Sequence, residues 1–268
     1  MAAETARPGT SGAPEGGLAA ALLLPPAGVA LLLLVWEAAP RLGLVRDTSV
    51  PPFSRVLAET GAVLTDPAFA SEVGGSAYRW GLGFALAVLT GVPLGIVMAR
   101  SSLVRRAVEP VLTMSYPVPK VALTLVLVLL FGAGTTARVI IVVLACLIPI
   151  VIASFHGAGA VPPQLAWSAR GLGTSRAGVL VRVVLPAALP QVLSGMRMAI
   201  GVSIFALMAA ELMIRQSGIG AYLFGYYDQG DTLRVWATAT VIAGIGFLLD
   251  TAYVQAVRRA LRWLDGEI

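Results

Sequence analysis

The sequence predicts an all-α polytopic membrane protein with six transmembrane helices and a cytoplasmic helix between spans 4 and 5. Three observations carry that prediction. Of 268 residues, 57% are hydrophobic and 12% charged, where a soluble domain carries roughly 25% charged residues. Mean hydropathy is +0.86, more apolar surface than a water-soluble core can hide. The apolar residues are grouped in blocks of about 20, the length of a membrane-crossing helix, separated by short polar stretches that hold most of the arginines.

In chain order, residues 1–17 are polar and rich in small residues, which predicts a disordered cytoplasmic tail rather than a cleaved signal. The unit 18–76 holds the first span, about Leu22–Pro40, with Pro25 and Pro26 near its start. Outside the membrane it holds a short helix, Ser54–Leu64, for which Ser54 is a candidate N-cap. The transmembrane core follows over 77–263, with a short tail at 264–268. The second span is about Arg79–Ala99 and carries Gly91 and Gly95, a spacing that lets helices pack closely. The third, about Pro110–Phe131, is broken by Pro117 and Pro119, so its freed backbone groups must be buried in protein or face a cavity. The fourth is about Ala137–Phe155, the fifth about Gly195–Ile214 and the sixth about Arg234–Ala256.

Charge orients the chain. The formal net charge is +5, from eighteen arginines and Lys120 against fourteen acids. With both termini inside, ten cationic residues fall on the cytoplasmic side and seven outside, the sense of the positive-inside bias. The basic residues are scattered rather than clustered with aromatics, which argues against nucleic acid as a partner. One cysteine, Cys146, and one histidine, His156, offer neither a disulfide nor a metal cluster. No cluster of catalytic type appears either, so neither a catalytic residue nor a metal ligand is expected.

Charged residues inside spans are candidates for function because they are costly in a bilayer. Lys120, just after the proline break, is a candidate for an anion path, and equally for a cap on the broken helix. Glu211 and Arg215 stand four apart near the outer end of span 5, the spacing of an ion pair, structural or at an outer gate. Arg197 and Asp250 are candidate bundle contacts.

The stretch Pro162–Pro190 connects spans 4 and 5. Pro162 and Pro163 suit a helix start, and Leu165, Ala169 and Leu172 fall on one helical face. Gly171 and Gly173 end or bend that helix, and Leu185-Pro186 interrupts the apolar run after it. On composition this is an interfacial helix tying two spans together, or a knob for a soluble partner.

The spacing resembles the signature of the integral membrane subunits of binding-protein-dependent ABC importers: Glu-Ala-Ala, three residues, Gly, nine residues, Ile, one residue, Leu-Pro. Trp167, Ser168 and Ala169 stand at the triplet, followed by Arg170; Gly173 stands at the glycine, Val183 at the isoleucine, and Leu185 and Pro186 at the end. Ser49–Glu59, Gly83–Ser101, Pro117–Thr135, Leu185–Gly201, the Ala-Glu-Leu at Glu211 and Ser217–Gly220 resemble, in order, the sulfonate, taurine and nitrate branch. The resemblance implies a permease whose loop docks in a cleft of a separate ATP-binding subunit. It also implies an extracytoplasmic solute-binding protein, a second copy of the permease, and alternating access for a small solute in a bacterial plasma membrane. No cofactor is expected on this chain, since ATP and magnesium belong to the ATPase and the sequence has no G-x-x-x-x-G-K-[ST] loop. Trp167 in place of the glutamate exchanges an acid for a large apolar contact surface. The broken third span also fits a self-contained secondary transporter or channel.

Overall fold

The computed structural model describes residues 16–261, and all regular structure among them is helical. The tail expected over 1–17 lies outside the described residues except for its last two, which open α1, and so do Arg262 and Trp263 at the other end. Among the described residues, four helical stretches are long and apolar enough to cross a membrane: Pro67–Arg100, Thr135–Gly159, Arg176–Ile214 and Thr232–Ala260. Ser102–Ser115 and Lys120–Phe131, bent by 84° at the break, make a fifth when taken together as one broken span. α1 (Gly16–Arg41) occupies the place of the first expected span and contains both Pro25 and Pro26.

Helix α2 (Phe53–Thr65) is the expected short helix, but Ser54 is inside it rather than at its cap. The N–H and hydroxyl of Ser54 both donate to Glu37 of α1, at 2.9 and 2.8 Å, so the residue ties two helices together. Asp66 caps α3 (Pro67–Arg100) by accepting from the Ala68 N–H, and Pro67 suits the first helical position. α3 extends beyond the second expected span at its N-terminal end, where Phe69 packs into an apolar cluster and Ser76 binds Glu211.

α4 (Ser102–Ser115) is capped by Ser101 and amphipathic, with no fully buried residue. The chain then breaks at Pro117 and Pro119, as expected, and resumes through one 3₁₀ turn (Lys120–Ala122) into α5 (Leu123–Phe131). α6 (Thr135–Gly159) is the most buried of the crossing helices. It lies between α3 and the long helix formed by α8 (Arg176–Val179), a π turn (Leu180–Val184) and α9 (Leu185–Ile214).

That long helix corrects the reading of Leu185-Pro186, which does not interrupt it. A proline ring clashes with the carbonyl four residues back. Here the turn before it is widened, and the Leu185 N–H reaches five residues back to the Leu180 carbonyl. The helix therefore passes through the Leu-Pro pair without stopping. α10 (Ile219–Asp228) follows the C-terminal end of α9, and α11 (Thr232–Ala260) returns beside α2 and α9.

The core is three helices thick and depends on small residues. Gly91 approaches Ile150, and Gly95 lies so near α6 that a Cβ there would be 2.5 Å from the Val151 carbonyl oxygen. The Gly91–Gly95 spacing thus serves packing within the bundle, with Ala87, Val142, Cys146, Ile150, Ala199 and Leu207 filling the seam.

Candidate functional site: a docking knob and an inner cavity

α7 (Pro163–Gly171) joins α6 to the long helix at the same end as Arg100, whose guanidinium donates to the Ala158 carbonyl at 3.0 Å. Pro162 precedes it and Pro163 begins it. Its far end is closed by a Schellman turn. The Thr174 N–H bonds to the Ala169 carbonyl and the Gly173 N–H to the Arg170 carbonyl, each at 3.0 Å. Gly173 takes φ +84°, a left-handed conformation that strains any side chain with a Cβ. The signature's glycine is thus explained by backbone geometry.

The other signature residues divide into two sets. Ala169, Val183 and Leu185 pack against a buried cluster of Ile96, Ala158, Val161, Val179, Val184 and Ala188. Trp167, Ser168 and Arg170 face outward, with Trp167 65% exposed. Leu165 and Leu172 are exposed as well, so they do not share an inward face with Ala169. The result is a short rigid helix anchored through two alanines, Ala166 and Ala169, that presents an apolar surface centred on Trp167.

Above this knob a cavity of about 530 Å³ opens between the broken span, α6 and α9. Its wall is apolar along Ala145, Ile148, Ile152 and Val202, with polar groups from Tyr116, Lys120, His156, Gln191 and Ser194. Lys120 caps the broken helix and stands on the cavity wall. Its ammonium donates to the Ser115 and Tyr116 carbonyls at 2.8 and 3.0 Å, satisfying groups freed by the prolines, and it also lines the cavity. His156 and Gln191 lie on the cavity wall and were not singled out for it in the sequence. The signal available was their position: each is polar and faces the same side as small residues, Ala153 and Gly195, one turn away.

Glu211 does not line this cavity. It is fully buried near the C-terminal end of α9 and does not pair with Arg215. Its partners are Arg79 at 3.0 Å and Ser76 at 2.8 Å, both on α3. Arg215 takes the left-handed conformation that ends α9, stacks on the Phe224 ring at 3.6 Å, and faces Asp228. A residue at φ +56° has left the helix, so the four-residue spacing no longer brings the two side chains together. Arg197 and Asp250 do meet, in a two-pronged pair at 2.8 and 2.7 Å joining α9 to α11. Among the described residues no cluster of His, Cys, Asp and Glu could hold a metal ion.

The sequence family described as "Binding-protein-dependent transport system inner membrane component" matches residues 91–262. The chain is 34% identical to the taurine transport system permease protein TauC of Escherichia coli (strain K12), over 90% of this chain and 89% of that protein. It is 31% identical to the putative aliphatic sulfonates transport permease protein SsuC of Bacillus subtilis (strain 168), over 90% and 86%. It is 26% identical to the nitrate import permease protein NrtB of a Synechocystis strain, over 85% and 86%. In fold it resembles a chain of the MetNI methionine ABC transporter in inward-facing conformations, with TM-score 0.62, 15% identity, and coverage of 72% of this chain and 95% of that one. It also resembles a chain of a bacterial alginate ABC transporter solved in complex with an alginate-bound periplasmic protein, with TM-score 0.58, 16% identity, and coverage of 91% and 94%.

Proposed function

The chain belongs to the binding-protein-dependent transport system inner membrane component family and is an ABC importer permease subunit, and on that premise we propose that two copies of it enclose the path of a small anion. A separate ATPase subunit drives the cycle, and an extracytoplasmic binding protein delivers the solute. Both termini lie in the cytoplasm. The observation that carries this reading is the exposed Trp167 on a helix closed at Gly173, a knob shaped to enter a cleft of a soluble partner. ATP and magnesium bind on that partner.

The solute is an organic sulfonate, taurine or a nitrate-like anion. Support comes from Lys120, the cation on the cavity wall, and from the relatives named for taurine, sulfonates and nitrate. Lys120 attracts the anion while the apolar wall keeps water contact small, and the bent span opens and closes the path. Glu211 serves the path from a distance, by fixing the outer end of the bundle.

The test is purification of the tagged protein from its own membrane beside Trp167→Asp. An ATP-binding subunit is expected with the wild type and is expected to fall by about tenfold or more with the variant, because a charge placed in an apolar cleft is strongly disfavoured. Equal recovery with both would contradict the docking role of α7. Wild-type protein that emerges alone and still transports after reconstitution would replace the importer reading with that of a secondary transporter or channel, which the 84° break also fits.

A further inference from the structure

The corner between α9 and α10 holds buried charge that neither the knob nor the cavity uses. Glu211 has no exposed surface, and its carboxylate is engaged by two other elements. Ser76 donates to both of its oxygens at 2.8 and 2.9 Å, Arg79 donates at 3.0 Å, and the Gly220 N–H in the first turn of α10 donates at 3.1 Å. The neighbouring amides are held from α3: the Ile219 N–H by the Ser76 hydroxyl at 3.0 Å, and the Gly218 N–H by the Glu72 carboxylate. Three successive N–H groups at the start of a helix, where the helix dipole is positive, are therefore bound by side chains of other helices. Ser217 closes the corner by accepting from Arg79 at 2.7 Å and from Arg138 of α6 at 3.1 Å.

The approach leaves no room for side chains. A Cβ on Gly218 would fall inside the Glu211 carboxylate, and one on Gly220 would be 2.8 Å from the Met208 carbonyl oxygen. Gly218 also has φ +107°. The Ala-Glu-Leu around Glu211 and the Ser-Gly-Ile-Gly after it are two halves of one joint.

The long helix that ends at this joint begins beside the docking knob. Arg176–Ile214 runs for 39 residues without a break, about 58 Å at 1.5 Å per residue.

We propose that Glu211 is a positioning residue that locks the outer ends of α3, α6, α9 and α10 into one rigid body, so that a displacement of the docking knob is carried along the long helix to α10 undivided. The relay rests on the importer reading of α7; the rigidity of the corner does not.

The experiment places spin labels at Tyr78→Cys on α3 and Tyr227→Cys on α10, which are 64% and 65% exposed, in a Cys146→Ser background. In the purified protein the distance distribution is expected to be single and narrow. With the ATPase subunit bound it is expected to stay the same with and without ATP. Glu211→Gln keeps the side-chain shape but turns an amide donor toward an N–H or a guanidinium, so the distribution is expected to broaden. Uptake per assembled complex is expected to fall about tenfold. Ser76→Ala removes a hydroxyl and strands no charge, so it should give a smaller broadening in a folded protein. A distribution that moves with ATP in the wild type would overturn the proposal, as would an unbroadened Glu211→Gln with normal uptake. Loss of folding in both variants would overturn it too, by making the corner a folding core rather than a joint. If no ATPase subunit binds, the importer reading fails, while the label comparison between wild type and Glu211→Gln still decides the rigidity.

Discussion

Lys120 is the residue at which structure and function are hardest to separate, because one ammonium both caps a broken helix and lines the cavity. Lys120→Ala removes both roles. Lys120→Gln keeps donors for the Ser115 and Tyr116 carbonyls and removes only the charge. If the charge attracts the solute, Lys120→Gln assembles normally and its uptake of an anion falls by about tenfold, an electrostatic loss of about 1.4 kcal/mol. Anion uptake at the wild-type rate per assembled complex would reduce Lys120 to a cap. Asp66 gives a second test at this scale. It caps α3 and accepts from the Tyr222 hydroxyl at 2.8 Å, with Arg234 at 3.1 Å. The Tyr222 hydroxyl first, then the Ala68 N–H, hold its carboxyl below the usual aspartate range. A carboxyl with a lowered folded value stabilises the protein fully above its unfolded value of about 4, and that contribution is lost as pH falls through the folded value. The melting temperature of Asp66→Asn in detergent should therefore lie below that of the wild type at neutral pH, with the gap closing only below about pH 4. A gap that is unchanged down to pH 3 would show that the carboxylate charge contributes nothing.

At the scale of elements, the bundle depends on where helices touch through glycine. Gly95→Ala puts a methyl 2.5 Å from the Val151 carbonyl oxygen and 2.6 Å from the Ser154 Cβ. The helices must move apart, at a cost of about 1–3 kcal/mol. Gly81, on the same helix, has nothing within 4 Å of such a methyl. There alanine is the better helix former by about 1 kcal/mol. Thermal melting should fall for Gly95→Ala and hold or rise for Gly81→Ala; similar shifts for both would contradict the packing. These elements were largely legible in the sequence, because bilayer length and proline placement act locally. Pro117 and Pro119 announced the break, and the run from Pro162 to Gly173 announced α7. Leu185-Pro186 was misread because a widened turn absorbs the proline, and a π turn leaves no compositional trace. The partner of Glu211 was misread for a different reason. Arg215 is four residues away and Arg79 is 132, so only the fold reveals that α3 supplies the charge.

For the whole molecule, the surface divides by depth. The apolar knob stands at one end, the cavity opens in the half of the bundle nearest it, and the charged corner closes the other end. The broad reading was accessible from sequence because the signature spacing survives even with Trp167 in place of an acid. The cavity was not, since its wall is assembled from residues of three separate helices, Lys120, His156 and Gln191 among them. Transport by this permease is expected to require a separate ATPase docked at α7. Uptake of radiolabelled taurine, an alkanesulfonate or nitrate is followed into proteoliposomes holding the purified permease, with its binding protein outside. The ATPase subunit and ATP are supplied inside or withheld. Uptake that appears only with both ATPase and ATP, and is lost with Trp167→Asp, is the predicted result. Uptake by the permease alone, equal in wild type and Trp167→Asp, would contradict it.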